Sequence, residues 1–544
     1  MTHERMYLFT GVPNSRKLSE ISQDGSERGS IGACTAPTLT SYQNRYESKK
    51  PDTTARRKGL GAVASLTQSL IQRRGEVRRV LGLVMSVAVV LLGTGCDAEE
   101  HKRPQKPNIV FILTDDLDDD SESIAHMENL RSLVTDSGVT LKNAYVTQSL
   151  CCPSRASILR GQYPHNTGVT SNRAEDYADF VSSGREASTF ATWVHDAGYQ
   201  TAYFGKYLNG YDTTRIPPGW DRWFSDYGAT KDQQFNDQGT LVTFDPNKYL
   251  FDDVLHDKTL EWLKDRDDFK PFLAVVSTHA PHQPAIPAPR HANLFPGADL
   301  PKPASFNEAQ VSDKNEWVRH LPPLSRAQIG AMERLYPNRL RVMEGVDEML
   351  EAVVSELRAQ GELENTYIFF SSDNGFHMGQ HRFNQGKETA YEEDIAVPMI
   401  VRGPGIPADA TRQQLVLNQD LAPTFADIAD ASVPNFVDGR SFLTVLGDNP
   451  PDAWRTGFLV RAQATDNRQQ WIHPMPTNYA LRTARYEYID YPSGKDELYD
   501  MERDPYQIDS IQASAPTDVL AQMRAQLESL QGCVSDECRA AEGP

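Results

Sequence analysis

Cysteine is scarce in this chain, six residues in 544, and positive charge is short as well, with 55 Lys and Arg against 74 Asp and Glu and a formal net charge of −19. The deficit is uneven. Residues 1–95 carry 14 Lys/Arg against 7 Asp/Glu, so the rest of the chain is more acidic still. Nucleic acid is therefore not an expected partner, and an anionic substrate would need a local basic pocket. Long apolar runs are also missing, apart from VLGLVMSVAVVLLGTGC, Val80–Cys96, which follows Arg73, Arg74, Arg78 and Arg79. It is short for a spanning helix, and its basic flank and small residues describe an export signal. At 39% hydrophobic and 24% charged the chain is neither disordered nor fibrous. Its length calls for a large catalytic domain plus a smaller one.

About eighty residues precede the apolar run, so the true start is expected downstream of Met1. Residues 1–76, with Cys34, then form an untranslated or disordered leader, and 77–105 an export signal and linker. GTGC resembles a lipobox with Gly93 where Leu is usual, which makes Cys96 a candidate lipid anchor; RRVLGL is a weak twin-arginine likeness. The expected location is outside the cytoplasm, periplasmic or extracellular. An oxidising compartment makes Cys533 and Cys538, in GCVSDECRAAEGP, a candidate disulfide. Adjacent Cys151 and Cys152 need another account.

The remaining pattern is α/β. An apolar strand at Ile109–Leu113 ends in TDDLDDD, and a second at Tyr367–Phe370 ends in SSDNG. Between them PNRLRVMEGVDEMLEAVVSELRAQGEL carries apolar residues at helical spacing from Leu340 to Leu357. Such alternation predicts a parallel sheet, with ligands beyond the carboxyl ends of its strands. We place the catalytic domain at 106–450 and a smaller subdomain at 451–544, where YALRTARYEYIDY reads as antiparallel strand and PTDVLAQMRAQLESLQG as a closing helix. Asp115, Asp116, Asp373 and Asn374 offer hard oxygen ligands, which suit Ca²⁺ or Mg²⁺ rather than zinc. TDDLDDD alone reads equally well as a solvated loop; the second acidic strand end favours a metal. Asp119 and Asp120 read as solvated acids.

GVTLKNAYVTQSL reads as extended chain and PSRASILRG as a short helix opened by Pro153 and closed by Gly161, which puts Cys151 at a helix N-terminus that favours an anion. A C-x5-R phosphatase loop would need Arg at 157 or 158, where Ser157 and Ile158 stand, and a dithiol redox site would need two intervening residues. Neither fits. Cys151-Cys152-Pro153-Ser154-Arg155 is instead similar to the C-x-P-S-R segment of the sulfatases, whose first cysteine a formylglycine-generating enzyme converts to Cα-formylglycine.

The resemblance runs from about Pro107 to Leu530 through NIVFILTDD, CCPSRASILRGQYPHN, GKYLNGY, APHQP, SSDNGFHMGQH, GKETAYEEDIAVPMIVRGPG and ELYDMERDP, and several segments are most similar to N-acetylglucosamine-6-sulfatases. It implies an alkaline-phosphatase-like α/β sandwich with a large, mainly parallel central sheet and a smaller C-terminal subdomain with an antiparallel sheet. It also implies a sulfuric ester hydrolase acting on a sulfated sugar. Asp115, Asp116, Asp373 and Asn374, with modified Cys151, would hold one divalent cation, usually Ca²⁺, with Mg²⁺ the alternative. The hydrated aldehyde would attack sulfur, Arg155 would brace it, and Lys206 and Lys387 would contact the sulfate. APHQP points to His282, rather than His279, as sulfate ligand and proton donor to the leaving oxygen. His377 and His381 would line the pocket. Arg160 and Gln162 depart from the family pattern, and Leu208 stands where members often have His, leaving Asn209 and His165 as weak candidates for the resolving base. A phosphonate or phosphate ester hydrolase of the same fold, and a non-catalytic carbohydrate-binding relative, are the other readings.

Overall fold

The protein is described here by a computed structural model covering residues 106–119, 121–228, 233–245, 250–463 and 475–544. The leader, the apolar run with Cys96, and Asp120 lie outside the described residues. Within them no helix is long and apolar enough to cross a membrane.

The strand Asn108–Asp115 is buried along its whole length. Its side chains alternate between two cores, Ile109, Phe111 and Leu113 facing one and Val110 and Ile112 the other. Burial on both faces explains why the strand reads as a continuous apolar run, each such side chain contributing roughly 1.5–3 kcal/mol. Among the described residues ten strands form one sheet, with this strand near its middle. Thr366–Ser372 pairs parallel on one side, Phe272–Pro281 parallel on the other, and Gln200–Gly205 parallel beyond that. Both predicted strands are present and slightly longer than predicted.

Helices cover both faces. On one lie Cys151–Arg160, Phe190–Asp196 and Leu421–Ile428, and on the other Phe251–Asp265 and Arg326–Gln360. The last was expected from Pro337 onward, yet it begins eleven residues earlier. Ser325 caps it, accepting from the Gln328 amide in a capping box, and Pro337 sits inside it. The added turns bury Met332 and Tyr336, with Leu340 beyond the proline, against Leu300, Leu324, Phe376 and Met378, which offsets the hydrogen bond the proline removes. Gly361, with φ 67°, ends the helix in the left-handed region.

The C-terminal sheet runs Gly457–Ala462, Asn478–Thr483, Tyr486–Asp490 and Glu497–Asp500, all antiparallel. The stretch read as one strand is thus a hairpin turning between Thr483 and Tyr486. Helix Thr517–Leu530 packs Met523, Leu527 and Leu530 into the same core, and a disulfide joins Cys533, just after it, to Cys538 within a last helix, Asp536–Glu542.

Candidate active site

Four neighbouring parallel strands end on one edge, and each carries a polar group there. In spatial order they bring Asp373 and Asn374, then Asp115 and Asp116, then His282, then Lys206. Strands that pair in register must end side by side, so residues up to 258 positions apart become neighbours. Helix Cys151–Arg160 points its N-terminus at the same edge. It starts at Cys151, two residues before the expected Pro153, because Leu150 is still extended at φ −151° while proline is tolerated in a first turn. Gly161 closes it, as expected, at φ 68°.

Cys151 is buried, with Sγ 3.5 Å from Asp115 Oδ1 and 2.7 Å from Lys387 Nζ. Lys206 pairs with Asp115, and Lys387 with Asp116. Lys387 Nζ also lies 3.4 Å from Asn374 Oδ1. Arg155 donates from Nε to Asp373 Oδ2 at 2.6 Å and from Nη1 to Ser277 Oγ at 2.6 Å and Lys206 O at 2.8 Å, while its Nη2 is buried without a partner. The other Asp373 oxygen accepts the Asp116 amide at 3.2 Å. Asp116 itself sits at φ 65°, unusual for a non-glycine residue, and this bond helps hold the turn.

Burial alone pushes all three carboxyls up. For Asp115 the neighbouring cations, Lys206 foremost, overcome that and hold it well below the ordinary carboxylate value; Asp116 is lowered too, chiefly by Lys387. Asp373 stays raised, by burial and then by the Asp115 charge, despite Arg155. Burial also pushes the Cys151 thiol up to about 11, so an unmodified thiol here would be protonated at neutral pH rather than a thiolate nucleophile.

The donor atoms of Asp115, Asp116, Cys151 and His282 lie within 4.8 Å of one another. The Lys387 ammonium contacts Asp116, Cys151 and Asn374, all three predicted metal ligands. A positive charge already stands among these donors, so the residues fit a hard divalent cation.

His282 Nε2 lies 3.6 Å from Asp116 Oδ2. His279 instead faces Asp226, with Nε2 3.1 Å from Oδ2, and packs on Phe251. His377 and His381 are buried, with Nδ1 of each 2.8 Å from Asp394 and Glu308 respectively, so these rings brace the loop behind the site. His165 is drawn away as well, its Nε2 3.0 Å from the Cys533 carbonyl. Leu208 is buried in the core, and the Asn209 carbonyl lies 3.8 Å from the Cys152 thiol. Asp119 is exposed, as expected.

One contributor was not anticipated. Arg339, buried in the long helix, donates from Nη2 to the Asp116 carbonyl at 2.6 Å and stacks over Phe376 at 4.4 Å. Its signal was an arginine on the apolar face of a helix, between Tyr336 and Leu340.

A mainly parallel sheet with acids at its carboxyl edge, a cysteine-initiated helix and a small antiparallel C-terminal sheet define an alkaline-phosphatase-like hydrolase. The sulfatase family model matches residues 107–431, and the model described as N-sulphoglucosamine sulphohydrolase, C-terminal, matches 379–532. The chain belongs to the sulfatase family and is a sulfatase. The human N-acetylglucosamine-6-sulfatase is 32% identical over 513 residues, covering 86% of this chain and 92% of that protein. The extracellular sulfatase SULF-1 homologue of Drosophila melanogaster is 36% identical over 370 residues, covering 66% of this chain and 33% of that protein, so this chain spans about a third of that relative. A solved structure in complex with its substrate D-glucosamine-2-N,6-O-disulfate superposes with TM-score 0.68 at 25% identity, covering 80% of this chain and 99% of the other.

Proposed function

We propose that this sulfatase is exported and removes a 6-O-sulfate from a glucosamine-type sugar, with Cys151 matured to Cα-formylglycine and one Ca²⁺ held by Asp115, Asp116, Asp373, Asn374 and the matured residue. The convergence of Asp115, Asp116, Cys151 and His282 donors within 4.8 Å carries the reading. The similarity to N-acetylglucosamine-6-sulfatases supports the sugar.

When bound and matured, cation and hydrated aldehyde supply the charge that polarises the sulfate and the hydroxyl that attacks it. This chain's residues do the rest. Lys206 and Lys387, each now on a carboxylate, turn their ammonium groups to the sulfate oxygens. Arg155 holds Asp373 in place and keeps its unpartnered Nη2 for the matured residue. Arg339 fixes the Asp116 turn from behind. His282, half-exposed beside Asp116, gives a proton to the departing sugar oxygen.

The catalytic domain spans 106–450 and the C-terminal subdomain 451–544. The Cys533–Cys538 disulfide supports an oxidising destination. The export run and candidate anchor Cys96 lie outside the described residues; cell fractionation of the Cys96→Ser protein tests anchoring. Maturation needs a formylglycine-generating enzyme as partner.

Peptide mass spectrometry of protein coexpressed with that enzyme should find formylglycine at 151 and an unmodified Cys152. Chelation should stop hydrolysis of glucosamine 6-sulfate and added Ca²⁺ restore it. Full activity with Cys151 unmodified, or in a metal-free sample, refutes this assignment. Faster cleavage of a matched phosphonate ester than of the sulfate would move the chain to the phosphonate hydrolase reading.

A further inference from the structure

Beside His282 the surface opens into a cavity of ≈ 240 Å³ between the helix Phe251–Asp265, the loop after Pro281 and the long helix. Three buried polar atoms of its lining residues have no hydrogen-bond partner: Asp252 Oδ1, Gln233 Oε1 and His291 Nδ1. Asp252 Oδ1 and Gln233 Oε1 are acceptors by atom type. His291 is 4% exposed, with Nε2 2.8 Å from the Glu348 carboxylate and Nδ1 unmatched. A buried polar atom left unmatched is costly, and three along one cavity mark a place built for a ligand with hydrogen-bonding groups of its own.

The rest of the lining narrows the ligand. Phe251 and Ile286 give it an apolar side, Ile286 being 65% exposed. Among the described residues the nearby cation, Arg290, is taken by Asp253 and Glu348, so an anion would meet Asp252 there without a free countercharge. A sugar ring matches instead: apolar on its faces, with hydroxyl and ammonium donors at its rim. Burial pushes the Asp252 carboxyl up to about 6, as expected for a carboxylate short of donors.

We propose that this cavity seats the sugar whose sulfate is removed, and that Asp252, Gln233 and His291 select it through its hydroxyl or ammonium groups, with His282 at the boundary between sugar and sulfate. Resting on the reading of the chain as a sugar sulfatase, it names the residues that determine specificity.

The test separates the two. Binding of D-glucosamine alone, followed by saturation-transfer NMR, needs no maturation and no sulfate. The unaltered protein should bind it, and Asp252→Ala should weaken binding at least about tenfold, the loss of one bond to a charged acceptor. In matured protein Asp252→Ala should lower the ratio of kcat/KM for glucosamine 6-sulfate to that for 4-nitrophenyl sulfate by a similar factor. Should Asp252→Ala fail to fold, Gln233→Ala and Asp252→Asn carry the same comparison. No binding of glucosamine, equal binding by the variants, or an unchanged ratio overturns the cavity assignment. Loss of binding in a protein that cleaves no sulfate ester would uphold the cavity and sink the sulfatase reading.

Discussion

Around Arg455 two buried acids are matched oxygen by oxygen, whereas around Cys151 the same kinds of groups leave bonds to spare. Arg455 donates to Asp420 from Nη1 and Nη2, at 2.6 and 2.8 Å, and to Glu542 from Nε at 2.8 Å. Tyr163 takes the other Glu542 oxygen at 2.6 Å, so both oxygens of both acids are engaged. This cluster ties the last helix to the catalytic sheet's flank. At the other end of the Cys151 helix, Asp115, Asp116 and Asp373 face Arg155, Lys206 and Lys387, yet Arg155 Nη2 is unpartnered and Lys387 is shared among three groups. A closed network contributes stability because removing any member strands a buried charge. An open one keeps its electrostatic capacity for a ligand.

The comparison breaks most visibly at Cys151. Cys151→Ala should abolish turnover, a loss of at least about 10⁴-fold, since no other group can be matured to the nucleophile. Its unfolding midpoint in urea should stay close to that of the parent protein. A large stability loss would mean that the site is closed after all. Arg455→Ala should do the reverse, costing about 3–5 kcal/mol in urea unfolding by stranding Asp420 and Glu542, with kcat of the folded fraction preserved. An undiminished midpoint would show that the network contributes no net stability.

A smaller effect sharpens the division within the site. His282→Ala should slow glucosamine 6-sulfate hydrolysis about 100-fold more than 4-nitrophenyl sulfate hydrolysis, because an alkoxide needs the proton that a nitrophenolate does not. The same selectivity from His279→Ala would reassign the acid. Equal losses on both substrates would make His282 a binding group.

The smallest effect concerns an incompletely matched acid in the C-terminal sheet. Glu487 accepts from Gln507 at 2.8 Å through one oxygen, while the other has no partner. Burial foremost, then the Glu392 charge, raises its carboxyl well above the ordinary 4.5 despite Arg482. A raised acid binds its proton more tightly folded than unfolded, so the stability it contributes is full below 4.5 and lost as pH rises through its folded value. Glu487→Gln should therefore raise the melting temperature relative to the parent at pH 8 by more than at pH 5. A difference independent of pH would contradict the raised value.

Much of the site was readable because it sits at the ends of strands. Continuous apolar runs announced buried parallel strands, and the acids after Leu113 and Phe370 had to fall on their carboxyl edge. The C-x-P-S-R segment singled out Cys151 among six cysteines. The choice of His282 over His279 rested on a motif; in the fold the two rings face different carboxylates, Asp116 and Asp226. The early start of the long helix was missed because its first turns bury a separate, smaller apolar cluster whose partners at Leu300 and Phe376 lie outside any local window.

The amino-acid sequence by itself determined the elements, because they depend on periodicities of two and 3.6 that need only neighbours along the chain, and it singled out Cys151 and the candidate oxygen ligands, because a short motif and its resemblance to the sulfatases carry them. Only the tertiary structure decided that Asp373, Asp115, His282 and Lys206 stand on adjacent strands, that Arg339 reaches the Asp116 turn, and that three residues with unmatched polar atoms, from separate segments, line one cavity. Those are consequences of sheet order and helix packing, which join residues tens to hundreds of positions apart and leave no periodic trace in the segments they join.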